Sequence, residues 1–231
     1  MNKKAITTLA ALAGLLLTAG SASADVIAEY TFLNSNVESS DSEDNSEAQD
    51  FAKTSSNNLG YSNSGDNAFA RSQALAGTDE AAAITNAEFF SFTVSANTGY
   101  ELDLTSLTYT SIHNTTYDQS NTPDGNATMN FFVRSSVNGY ATNVGSVFSQ
   151  AWNTSDSRTI TLSGNSAFQD LTGDVTFRLY AYESVELDTN QGARWDNVVL
   201  NGAVVAVPEP GAYALLAGCL GLTWVMLRRR R

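Results

Sequence analysis

Short runs of alternating apolar and polar residues dominate the middle of this chain. Phe90, Phe92 and Val94 fall on one phase, with Ser91 and Thr93 on the other. Leu102 and Leu104 alternate with Glu101 and Asp103, and Met129, Phe131 and Val133 align in the same way. Val175, Phe177, Leu179 and Ala181 form one phase, and Thr176, Arg178, Tyr180 and Tyr182 the other. A period of two places successive side chains on opposite faces and marks half-buried strands. The pattern predicts strands at 27–32, 90–94, 100–104, 107–112, 129–134, 144–148, 158–162, 175–182 and 194–200. Turn sequences such as Pro123-Asp124-Gly125, Asn138-Gly139 and Thr172-Gly173-Asp174 separate them. Strands this short and this regularly broken predict an all-β fold, a single antiparallel β-sandwich with a jelly-roll-like arrangement. Only 74–83 and 166–171 read as helical. Residues 34–50 are rich in Ser, Asn and acid, and predict a mobile surface loop.

The two ends follow different rules. Lys3 and Lys4, an apolar stretch over 5–19, and the small residues Ala22 and Ala24 make a signal peptide over 1–24, with Asp25 first in the mature chain. The C-terminal segment 207–231 joins Pro208, Glu209 and Pro210 to an apolar run over 212–227 and then to Arg228, Arg229, Arg230 and Arg231. The prolines separate the run from what precedes it, and the arginines favour the cytoplasmic side of a membrane. As a helix the run would rise about 24 Å, marginal for a permanent span and adequate for a temporary transmembrane segment. This tail resembles a PEP-CTERM sorting domain. The resemblance implies export, transient retention at the inner membrane of a Gram-negative-type bacterium, and processing by an exosortase-type membrane protease. The final location would be the cell surface or the exopolysaccharide matrix.

Removing both ends leaves a body over 25–206. It holds six basic and 23 acidic residues, a net charge of −17 against −12 for the whole chain. Such a body repels nucleic acid, tolerates divalent cations and is indifferent to neutral glycans. The lone cysteine, Cys219, lies in the tail, so no internal disulfide can form and the body must hold by packing or bound ions.

The alternating segments 89–94, 99–107, 133–136 and 175–182, closing with Asp196-Asn197-Val198-Val199-Leu200, resemble galactose-binding-like and carbohydrate-binding jelly rolls. That resemblance implies a structural calcium ion between the first and last strands, with Glu29 and Asp196 as candidate ligands. No cofactor is required. Stacking on sugar rings needs exposed aromatics with polar neighbours. Trp152, Tyr180, Tyr182 and Trp195 are the candidates, with Arg178 and Arg194 as donors; core packing is the competing assignment for the tryptophans and a solvated sheet face for the tyrosines.

Catalytic signals are sparse. His113 is the only histidine and lies in a polar context that predicts a solvent-exposed or locally bonded ring, and no G-x-S-x-G elbow occurs. Glycoside hydrolysis needs only two carboxylates, and none stands out by context. The sequence therefore predicts a non-catalytic structural or adhesive protein of the surface or matrix. A carbohydrate-binding module is the alternative, and a small glycoside hydrolase the third reading.

Overall fold

The computed structural model describes residues 25–41, 43–62, 65–71, 78–115, 128–184, 191–207 and 210–229. Among the described residues, twelve strands form two antiparallel sheets. Sheet A has the order β10 (Thr154–Thr161), β7 (Tyr100–Thr115), β12 (Gln191–Ala206), β5 (Asn67–Arg71), β4 (Leu59–Ser62). The first strand, β1 (Asp25–Tyr30), also pairs with β12, beside Val198 to Gly202, so β1 and β5 lie end to end along one long strand. Sheet B has the order β2 (Ser46–Ala48), β6 (Phe90–Ala96), β11 (Val175–Glu183), β8 (Thr128–Ser135), β9 (Phe148–Ala151). The short β3 (Ala52–Lys53) joins the β6 edge. The chain crosses between sheets at β1–β2, β3–β4, β5–β6, β6–β7, β7–β8, β9–β10, β10–β11 and β11–β12.

The alternating phases point inward as expected. Phe92, Val94, Phe131, Val133, Phe177 and Leu179 from sheet B meet Leu104, Leu107, Tyr109, Trp195, Val198 and Leu200 from sheet A, all buried. Phe51, Phe90 and Phe92 stack with Tyr30 and Phe32 around one aromatic centre, with centroids 4.9–5.9 Å apart. Burying rings of this size contributes the largest apolar term to the fold.

Several expectations need correction. Residues 100–104 and 107–112 are one strand, β7, with a bulge in its pairing with β12 between Asn201 and Gly202. The strand expected at 144–148 begins only at Phe148, and that expected at 158–162 starts earlier, at Thr154. The loop 34–50 contains a paired strand, β2, against Ala96 to Val94 of β6. An edge strand needs only backbone pairing, so its lack of apolar residues did not prevent it. Of the helical patch at 74–83, residues 74–77 lie outside the described residues; α1 spans Glu80–Asn86, its N-cap Asp79 accepting from the Ala82 N–H at 2.8 Å. The patch at 166–171 is a single 3-10 turn, Ser166–Phe168.

The tail does form a helix, α2, over Pro210–Arg229, with Arg228 and Arg229 exposed in its last turn where cations favour the helix dipole. Leu220, Leu222, Trp224 and Met226 are exposed along it. No helix among the described residues is long and apolar enough to cross a membrane. The signal segment with Ala22 and Ala24, and Pro208, Glu209, Arg230 and Arg231 of the tail, lie outside the described residues.

Candidate functional site

The residues singled out for sugar binding do not converge on one place. Arg178, Tyr180 and Tyr182 stand on the outer face of sheet B, because β11 sends its other phase into the core. Beside them on β8 are Phe132 and Arg134, in register with Tyr180 and Arg178. The Tyr180 and Phe132 rings stack at 4.9 Å with a 7° tilt. Helix α1 lays Ala83 and Ile84 over this pair, which leaves Tyr180 only 3 % exposed. Tyr180 is thus not an open platform. Burial pushes its hydroxyl pKa up, against a bond from Arg178. Tyr182 stays half-buried, edge-on to Phe132 at 6.1 Å.

The register sets two arginines side by side, and like charges directly opposite are unfavourable. Each has its own remedy. Arg134 Nη2 meets Glu80 Oε1 of α1 at 2.8 Å, and its other groups donate to Asn143 Oδ1 at 3.1 Å and the Tyr140 carbonyl at 2.7 Å. Asn143 Nδ2 in turn donates to Glu80 Oε2 at 2.9 Å, so this network clamps α1 onto β8. Arg178 instead lies between two rings, 4.4 Å from the Phe89 centroid and 3.7 Å from that of Tyr140. Phe89 and Tyr140 are half-buried. Neither was picked out from the sequence, because the contact joins three distant segments.

Trp195 is a core residue. It is 2 % exposed and packs edge-on against Phe90 and Phe131, each at 5.3 Å. A stacking role for it is therefore corrected to core packing. Trp152 sits in the β9–β10 turn, edge-on to His113 at 5.2 Å and remote from the Arg178 face. His113 is not in a solvent-exposed loop: it belongs to β7, is 0 % exposed, and its Nδ1 lies 3.3 Å from the Gln150 carbonyl. Ser111, also inward, donates to Gln150 Oε1 at 2.9 Å, and Arg158 bonds both, at 3.0 and 2.6 Å. The network closes one end of the sandwich with polar groups.

Glu183 lies at this same end. It is 4 % exposed, in register with Met129, and its Oε1 has no hydrogen-bond partner. Burial raises its pKa to about 8. It extends the inward phase Val175, Phe177, Leu179, Ala181 by one more step, and Ser111 and His113 extend that of Leu107 and Tyr109 in the same way. The period-two pattern, followed past its last apolar residue, was the signal that could have found them.

The outer face of sheet A carries Glu29, Arg194 and Asp196. Burial raises the Asp196 pKa, a bond from the Asn197 N–H opposes this, and the neighbouring carboxylate of Asp66 adds to it. Glu29 has a different partner: its Oε2 accepts from the Ser40 hydroxyl at 3.2 Å. Its register partner, Val199, is three residues from Asp196, and a bulge with Asn197 at a φ of 48° lies between them. Ala68 pairs with Trp195, which brings Asn67 beside Asp196. Asn67 is 2 % exposed, its Nδ2 donates to the Gly65 carbonyl at 2.6 Å, and its Oδ1 accepts no bond. Asp66, Asp196 and the Asn67 carbonyl are hard oxygen donors of the type calcium takes. They make only two carboxylates, and among the described residues no group of three His, Cys, Asp or Glu could hold a metal ion. Arg194 is half-buried, and burial lowers its pKa.

No family model matches this chain, and no curated protein matches it. Among solved structures it is similar to the CBM22-1 xylan-binding domain from Paenibacillus barcinonensis Xyn10C. There the identity is 9 %, the coverage 79 % of this chain and 97 % of that one, and the TM-score 0.31. It is also similar to the N-terminal CBM22-1-CBM22-2 tandem domain from Paenibacillus barcinonensis Xyn10C, at 9 % identity, 83 % and 50 % coverage and a TM-score of 0.32. Similarity at this level transfers neither a ligand nor a site.

Proposed function

We propose that this chain is an exported, non-catalytic β-sandwich that binds neutral polysaccharide through the outer face of sheet B. The observation that carries this reading is the Arg178 guanidinium held between the Phe89 and Tyr140 rings. A stack of this kind fixes a planar donor beside half-buried rings, which is the combination that recognises a sugar's apolar face and its hydroxyls together. Tyr182 extends the face. The net charge of −17 over 25–206 disfavours acidic polymers and leaves neutral ones.

Affinity electrophoresis through gels containing xylan, cellulose-derived and mixed-linkage glucans, or exopolysaccharide from the native host tests this directly. Retardation of the wild type, lost in Arg178→Ala and Tyr140→Ala with the strand signal in circular dichroism intact, is the expected result. Unretarded wild type in every gel would overturn it.

A structural or adhesive role without glycan affinity is the second reading. The burial of Tyr180 and Trp195 favours it, because rings suited to sugar stacking are used inside the fold. In both readings the ends act as addresses. A signal peptide cleaved after Ala24 exports the chain. The Pro208-Glu209-Pro210 motif, the apolar helix and the terminal arginines deliver it through an exosortase-type protease to the cell surface or matrix. A calcium ion, where one binds, takes Asp66 and Asp196 with the Asn67 carbonyl in place of the Glu29–Asp196 pair.

A further inference from the structure

The sheet edges differ in length. β1 has six residues, β4 and β9 four each, β2 three and β3 two. β10 has eight, and pairs with β7 through eight consecutive positions without a bulge. It contains no Pro or Lys and no bulge; its two charges, Asp156 and Arg158, lie on the inward phase beside Ser111 and Tyr109. Beyond its end, the Leu162 N–H donates to the Thr105 carbonyl at 2.9 Å. The two-residue alternation of an antiparallel ladder then turns the backbone groups of Ser155, Ser157, Thr159 and Thr161 away from β7. The side chains of these four residues are exposed.

We propose that β10 pairs antiparallel with β10 of a second copy, about a twofold axis through Ser157, joining two A sheets into one. The outward backbone groups restrict the register to odd residues facing odd residues. Within that set the charges choose. With Ser157 opposite itself, Asp156 faces the partner's Arg158 and Arg158 faces the partner's Asp156. One step to either side sets Asp156 against Asp156, or Arg158 against Arg158. Asp156 and Arg158 are the only charged residues of β10, so a twofold arrangement is self-complementary in one register alone. Asp156 retains 59 % side-chain exposure although it contacts its own Arg158 at 3.1 Å, whereas Arg158 retains 15 % and also donates to Ser111 and Gln150, so the partner's carboxylate would have to join that network. The pairing uses neither the Arg178 face nor its ligand, so the two proposals stand or fall separately.

The full chain with Cys219→Ser provides the background for the test. Under mild oxidation Ser157→Cys should give a disulfide-linked dimer, since facing residues of a hydrogen-bonded pair have Cα atoms about 5.5 Å apart. Ser155→Cys should not, because it faces the partner's Thr159. In sedimentation velocity, Asp156→Arg should weaken dimerisation by roughly tenfold, and Asp156→Arg with Arg158→Asp should restore it. Circular dichroism checks that each variant is folded. A monomer at all concentrations would overturn the proposal. Equal crosslinking at 155 and 157 would do the same, pointing to association through helix α2 or through another register.

Discussion

The Arg178 guanidinium lies 3.7 Å from the centroid of the Tyr140 ring, closer than its 4.4 Å approach to Phe89. Tyr140 reaches it from a left-handed backbone position, with φ of 60°, just after Gly139. The β8–β9 connection therefore folds back over sheet B to cover a charge that Arg134 would otherwise repel. Arg178→Ala should cost about 1 kcal/mol of stability, the scale of an exposed cation–π pair plus lost packing. Arg178→Lys should recover part of the stability and little of any glycan retention, because an ammonium lacks the planar fork. Chemical denaturation alongside affinity electrophoresis separates the two effects.

Glu183 should make the fold less stable as pH rises. Its folded pKa is about 8 against an ordinary value of 4.5. The native state holds the proton over that interval and the unfolded state does not. No penalty exists below about 4.5; it grows between 4.5 and 8 and is constant above 8. The loss is on the order of a few kcal/mol. Glu183→Gln should match the wild type near pH 4.5 and exceed its stability at pH 8.5. Parallel urea curves for the two proteins across this range would contradict the assignment.

On the proposed Asp66–Asp196 site, calcium would act without Glu29, whose carboxylate accepts from Ser40 instead. Added calcium should raise the melting temperature, with EDTA reversing the shift. Asp66→Asn and Asp196→Asn should abolish the response while Glu29→Gln preserves it. A response lost in Glu29→Gln and retained in Asp66→Asn would return the ion to the first strand.

Gly202 marks the bulge where β12 passes β7, and a Cβ there would stand 2.8 Å from the Asp103 carbonyl oxygen. That neighbour is backbone and cannot swing aside. Gly202→Ala should destabilise by about 1–3 kcal/mol. Trp195→Ala, which empties the space between Phe90 and Phe131, should cost about 3–5 kcal/mol. Thermal denaturation orders the two.

Replacing Arg228 to Arg231 with Ser should redirect the chain away from the proposed surface location, read by fractionation of the native host. Unchanged surface display would remove the tail from the sorting argument.

Much of the sandwich was legible because burial imposes a period of two on each strand. Val175, Phe177, Leu179 and Ala181 could be assigned inward without knowing their partners. The edge strands β2 and β3 were not legible, since backbone pairing leaves little trace in side-chain type. Tyr180 was correctly placed on the outward phase, yet outward did not mean exposed: α1, from a segment about a hundred residues earlier, covers it.

The class of fold, the inward phase of its central strands and the acidity of the body were readable from the residues alone. These follow from local periodicity and composition, which act over a few residues. The remaining outcomes needed the fold: that Trp195 packs in the core, that Arg178 sits between Phe89 and Tyr140, that Asp196 neighbours Asp66, and that β10 is the longest edge strand among the described residues. Those outcomes depend on which distant segments share a sheet or cover its face. Strand order is set by the packing of the whole chain, and no local pattern encodes it.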